Sequence, residues 1–105
     1  MAAAHNIDVV RAAGDAPLAF DVTIRDGKSE SRHRVTMSPA LFKKLADGAH
    51  TPEQCVEAAF RFLLDREPKE AILNNFDVTV ISRYFPEFEQ TFPDYLPARR
   101  AGNPR

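Results

Sequence analysis

The chain has 105 residues, which is the size of a single domain. Fourteen Lys and Arg against fifteen Asp and Glu give a net charge of −1, so the chain as a whole has no electrostatic attraction to nucleic acid or anionic lipid. One Cys and three scattered His exclude an internal disulfide and a zinc site of ordinary ligand spacing, and no apolar run approaches the roughly 18 residues that span a bilayer.

The sequence also predicts the cellular compartment of the protein and the boundaries of its domain. A lone Cys, in a chain whose first residues lack the basic and apolar regions of a signal peptide, is typical of a cytoplasmic protein with a reduced thiol. Residues 97–105 contain no large apolar side chain. We therefore expect disordered tails at 1–5 and 97–105 around one domain at 6–96.

The first half of the chain predicts antiparallel strands. Apolar residues alternate with polar ones over 20–24 and again over 33–37, with a shorter alternation at 7–9. This period of two is typical of strands that are buried on one face. The pattern predicts a hairpin of two strands with a third beside it.

The connection between the two central strands decides their register. A two-residue turn at the Asp-Gly pair would place polar residues opposite the apolar ones. Pairing Val22 with Val35 and Phe20 with Met37 keeps the apolar face intact, since a wrong slip misplaces the whole apolar set. That register requires a longer loop at about 27–30.

The next part of the chain predicts two helices. Ser38-Pro39 combines an N-cap with proline at the first helical position, and Gly48 supplies a stop. Thr51 and Gln54 enclose a proline and an acid, which is the pattern of a capping box. Apolar residues then recur every three to four positions and predict a core helix over 52–66.

The last third of the chain predicts short helices around one ambiguous piece. A helical turn or two is expected at 68–73 and a short helix at 86–92. Residues 76–85 fit a strand, because they are rich in β-branched residues, and they also fit a helix capped by Asp77. The polar continuation of this segment and the proline after it favour the helix. Strands followed by helices predict the α+β class: an N-terminal antiparallel β-hairpin of two or three strands packed against C-terminal short helices.

Residues 62–73 read FLLDREPKEAIL, and residues 76–89 read FDVTVISRYFPEFE. These two stretches resemble a group of small bacterial proteins of unassigned function, and the resemblance extends over about residues 20–92. It implies a bacterial, cytosolic origin, and it brings no activity, cofactor or catalytic residue.

The Cys, His and Gly residues of the chain fit structural roles better than catalytic or metal-binding ones. Cys55 lies five residues after His50, but it borders the apolar stripe of its helix, and a free Cys is among the most often buried residues. The three His lie on a tail, a strand and a loop, without the close spacing of a metal site. His33 is interpreted as the polar end of its strand. The four Gly form no phosphate-binding loop or nucleophile elbow. We expect no catalytic residue, no metal and no cofactor.

Charge is distributed unevenly along the chain. Residues 25–44 are locally basic, and residues 53–94 are locally acidic. The simplest interpretation is that the two halves neutralise each other within the fold. The alternatives are steering toward a partner, and contact with nucleic-acid phosphates through Arg32, Arg34, Lys43 and Lys44.

Aromatic residues are concentrated near the end of the domain, with five between positions 84 and 95. Short helices seldom cover every ring, and an uncovered apolar patch marks a contact site. Tyr84 and Phe88 are therefore candidate partner-binding residues beside the four basic ones. The favoured function is a non-enzymatic protein–protein interaction module, whose partner is another protein or a second copy, with no role for a membrane. The alternative is a nucleic-acid-binding accessory protein that uses a basic hairpin and helix face.

Overall fold

Strands at the N-terminus and short helices after them form one α+β unit, which confirms the predicted fold class. The computed structural model describes residues 6–15, 17–27, 29–46, 48 and 50–96, and the predicted tails at 1–5 and 97–105 lie outside the described residues. The elements in chain order are the strands β1 (Asn6–Asp15), β2 (Leu18–Arg25) and β3 (Glu30–Met37), the helices α1 (Pro39–Ala46) and α2 (Pro52–Leu64), a 3-10 turn at Lys69–Ala71, strand β4 (Asn75–Asp77), the helices α3 (Thr79–Tyr84) and α4 (Phe88–Thr91), and a second 3-10 turn at Phe92–Tyr95.

The sheet has the strand order β1-β2-β3-β4. The first three strands are antiparallel neighbours, and β4 runs parallel to β3. Alternation along β2 turns Phe20, Val22 and Ile24 to the covered face, where each is almost completely buried. The helices close this face, and the opposite face of the sheet is open to solvent.

The predicted register between β2 and β3 is wrong by two residues. Val22 faces His33, and Phe20 faces Val35. The connecting loop covers residues 26–29 and begins with a hydrogen bond from the N–H of Asp26 to the carbonyl of Ser29 (3.2 Å). The error follows from His33, which sequence reasoning treats as a polar end of the strand. The structure buries it on the apolar face, with its ring centroid 5.4 Å from that of Phe60.

Helix α2 is the centre of the helical layer and has the predicted capping box. The hydroxyl of Thr51 accepts a hydrogen bond from the N–H of Gln54 (3.1 Å), and the side-chain oxygen of Gln54 accepts one from the N–H of Thr51 (2.9 Å). The helix ends at Leu64, two residues before the predicted end. Its buried side chains include Phe60 and Phe62.

The ambiguous segment 76–85 contains both predicted structures in succession. Residues 75–77 form β4, and a six-residue helix begins at Thr79. The N–H of Val78 donates to the carbonyl of Thr36 (2.9 Å) and marks the end of pairing with β3. The preference for helix is therefore wrong for the start of the segment and correct for its end.

Candidate protein-contact groove

An apolar groove lies where the end of α2, the first 3-10 turn, β4 and α3 meet. Its volume is about 440 Å³. The floor is formed by the buried side chains Leu63, Ile72, Phe76 and Ile81. The rim includes two of the largest exposed apolar side chains among the described residues, Leu73 at 49% and Tyr84 at 67% exposure. The groove is therefore an uncovered extension of the core.

His33 fixes the rim segment that carries Leu73. One ring nitrogen, Nδ1, lies 2.7 Å from the carbonyl oxygen of Leu73, and the other, Nε2, lies 2.8 Å from the hydroxyl of Ser31. Because a carbonyl only accepts, Nδ1 carries a proton and donates it to this bond. The buried histidine thus connects the middle of β3 to the rim.

Asp77 fixes α3, which forms another wall. One carboxylate oxygen accepts from the hydroxyl of Thr36 (2.5 Å), and the other accepts from the N–H (3.0 Å) and the hydroxyl (2.8 Å) of Thr79. Partial burial raises the pKa of Asp77, but these three hydrogen bonds outweigh it, so its pKa lies below the ordinary value. The ionised carboxylate holds the first turn of α3 against β3.

A buried lysine fixes the 3-10 turn beside the groove. The ammonium of Lys69 contacts the carboxylate of Asp26 (2.8 Å), the hydroxyl of Ser29 (2.6 Å) and the carboxylate of Glu70 (2.6 Å). The hydrogen bonds to Asp26 and then to Glu70 raise the pKa of Lys69. The loop between β2 and β3 is thereby joined to the segment that leads into the floor.

Two charged side chains near the groove have no ionic partner among the described residues. Glu67 lines the groove, and Arg83 is exposed on α3 beside Tyr84. Across the part of the chain that the structure describes, neither side chain forms a hydrogen bond or an ion pair. Most of the other charged groups nearby are paired, as Arg66 is with Glu87 (3.1 Å).

The aromatic residues predicted at a contact surface have different environments. Tyr84 is exposed, in agreement with that role. Phe88 is only 1% exposed, and this excludes it from a contact surface. Its ring packs edge-on against Phe62 (centroids 4.9 Å apart) and Phe92 (5.3 Å). Edge-to-face packing of this kind closes the end of the core that the short helices cover.

The four basic candidates do not converge on one surface. Arg32 and Arg34 project from the open face of the sheet, where they pair with Glu30 (2.9 Å) and Asp21 (2.6 Å). Hydrogen bonds from Arg32 and then from Arg25 lower the pKa of Glu30. The remaining two belong to the helical layer, where Lys44 pairs with Glu89 of α4 (2.9 Å) and Lys43 is exposed.

Cys55 is buried, as its place on the apolar stripe predicts. It is 1% exposed, and burial raises the pKa of its thiol from 9.0 to about 11. A catalytic thiol requires the opposite shift. Within the described ranges, no group of three or more His, Cys, Asp or Glu is placed to hold a metal ion. No described helix is both long enough and apolar enough to cross a membrane.

Sequence reasoning named Tyr84 as a contact residue and missed the other residues that line the groove, among them Glu67, Leu73 and Val80. A weak signal for Leu73 exists, because it is a large apolar residue directly before two asparagines. Comparison with protein-family models, curated proteins and solved structures finds no match to this chain. The resemblance of the second half to small bacterial proteins stays a prediction.

Proposed function

We propose that this protein is a non-enzymatic protein–protein interaction module that binds its partner through the groove. The observation that carries the proposal is the apolar groove with Leu73 and Tyr84 exposed at its rim. An exposed aromatic beside a concave apolar surface is typical of the residues that dominate binding energy at protein interfaces.

The rigidity of the groove supports this function. His33, Asp77 and Lys69 connect the segments around it to β3 and to the β2–β3 loop through buried or partly buried hydrogen bonds. A surface that is ordered before binding loses less conformational entropy when the partner docks. A groove held in this way would be ordered before a partner docks.

The chemistry of the groove favours a protein surface that presents an apolar side chain next to a basic one. The floor suits an aliphatic or aromatic group, and the carboxylate of Glu67 at the edge suits a cation. The same carboxylate would repel a nucleic-acid phosphate or a fatty-acid headgroup. A cytoplasmic site of action belongs to the proposal and is supported by the single free thiol of Cys55.

The test is affinity capture with matched variants. Tagged wild-type protein, Tyr84→Ser and Val10→Ser are incubated with host lysate that also contains an untagged copy, both with and without nuclease, and bound proteins are quantified by mass spectrometry. Val10 is the control, because it is 61% exposed but lies on the open face of the sheet. We expect wild type and Val10→Ser to retain the same protein, and Tyr84→Ser to retain it at least about tenfold less.

Two outcomes would contradict the proposal. One is capture that disappears with nuclease, which would favour nucleic acid. The other is capture to which Tyr84→Ser makes no difference, provided that all three variants have the same circular dichroism spectrum.

A further inference from the structure

We infer that the groove is filled by the same face of a second copy of this chain. In this two-fold dimer, Tyr84 of each copy enters the groove of the other, and Arg83 of each copy pairs with Glu67 of the other. The inference rests on the proposed function, since it names the partner of that same groove.

The two unpaired charges carry the argument. Glu67 lines the groove in the turn after α2, whereas Arg83 is exposed on α3 next to the rim residue Tyr84. Their charges are opposite, and within the described residues neither side chain has a partner. They also do not pair with each other within one chain, as no ion pair joins them. A surface that offers both an unpaired cation and an unpaired anion is complementary to itself.

The geometry of α3 directs the side chain of Arg83 away from the core. Ile81 is buried in the core, and Val80 and Tyr84, four residues apart, line the groove on one side of the helix. Arg83 is two residues beyond Ile81, about 200° around the helix, so it projects away from the core. It is therefore available to a molecule that covers Tyr84.

Two-fold symmetry would give both charged residues of each copy a partner in the other copy. In an isologous interface, if a residue i contacts residue j, then j contacts i across the axis. One Arg83–Glu67 contact therefore implies a second one, related to the first by the two-fold axis. The net charge of −1 per chain adds little repulsion between copies.

The experiment is a charge-exchange cycle read by sedimentation velocity and light scattering, from about 1 µM to about 1 mM protein. Wild type is compared with Arg83→Glu, Glu67→Arg and the double variant Arg83→Glu/Glu67→Arg. Lys43→Glu is the control, because it makes the same change of charge at an exposed position on α1. Glu67→Gln removes the anion with little change of shape, in case the arginine disturbs the end of α2.

We expect wild type and Lys43→Glu to dimerise with the same dissociation constant. Each single reversal should weaken the dimer at least about tenfold, and the double variant should return to within about threefold of wild type. Glu67→Gln should weaken the dimer less than Glu67→Arg does.

Three results would overturn the inference: a wild-type chain that is monomeric throughout, a dimer that neither reversal weakens, or a double variant that does not recover. A monomer that still captures another protein through Tyr84 would overturn only the dimer and leave the proposed function standing. Loss of all Tyr84-dependent capture, of the untagged copy as well as of other proteins, would overturn both.

Discussion

Cys55 should react very slowly with alkylating reagents in the folded protein. Only the thiolate is nucleophilic, and burial raises the pKa of this thiol from 9.0 to about 11. At pH 8 a shift of two pH units reduces the thiolate fraction about a hundredfold. The side chain is also only 1% exposed, so the reagent must wait for the core to open. We expect alkylation by iodoacetamide to be at least about a hundredfold slower in the native than in the denatured chain.

Mass spectrometry of timed samples gives both rates, with glutathione in the same tube as a control for the reagent. The pH profile adds a second signature. The denatured rate should level off above about pH 9, whereas the native rate should keep rising toward about pH 11, because its thiolate forms only there. A native rate within about tenfold of the denatured rate would refute the reasoning and restore a thiol enzyme as an alternative.

Three further predictions concern stability. Phe62→Ala should lower the free energy of unfolding, measured by urea titration, by about 4 kcal/mol. The substitution leaves a cavity in the core and removes ring contacts to Phe88 and two other aromatic residues. A loss under about 1 kcal/mol would contradict the packing described. Thr51→Ala should cost about 1 kcal/mol through loss of the N-cap, and Thr51→Ser, which keeps the hydroxyl, should cost less than that. The lowered pKa of Asp77 means that its contribution is present above its unfolded pKa of about 4 and is lost as the pH falls through its folded value. Thermal melts from pH 6 to pH 2 should therefore show a smaller acid loss for Asp77→Asn, and equal losses would show that Asp77 does not contribute.

Local signals in the sequence predict where a helix or strand lies better than they predict which residues of other elements it contacts. The capping residues of α2 determine its start because their effect is confined to one turn of helix, and the structure confirms it. The register between β2 and β3 depends on what His33 contacts, and those partners are Phe60 and the carbonyl of Leu73, 40 residues away. The alternation of polar and apolar residues alone cannot distinguish a histidine at the polar end of a strand from a buried histidine whose ring nitrogens are hydrogen-bonded.

Which aromatic residues line the groove is harder to predict from the sequence than the register of the strands. The sequence predicts Tyr84 and Phe88 together at a contact surface, yet Tyr84 is exposed and Phe88 is buried. A spacing of four residues would place both on one face of a continuous helix. The chain breaks between α3 and α4 at Pro86, so the second ring turns into the core. Aromatic content therefore predicted a cluster, whereas the break in the backbone determined which ring remained outside.

The parallel pairing of β3 with β4 has a consequence for the order of folding. The antiparallel strands β1 to β3 are joined by short loops, but β4 pairs with β3 across about 40 residues, so closing this part of the sheet involves a far longer loop. During synthesis the three-stranded meander emerges first, with its apolar face uncovered until α2 and β4 follow. We expect nascent chains that stop before residue 75 to be recognised by chaperones, and hydrogen exchange at β4 to become protected after exchange within β2 has already slowed.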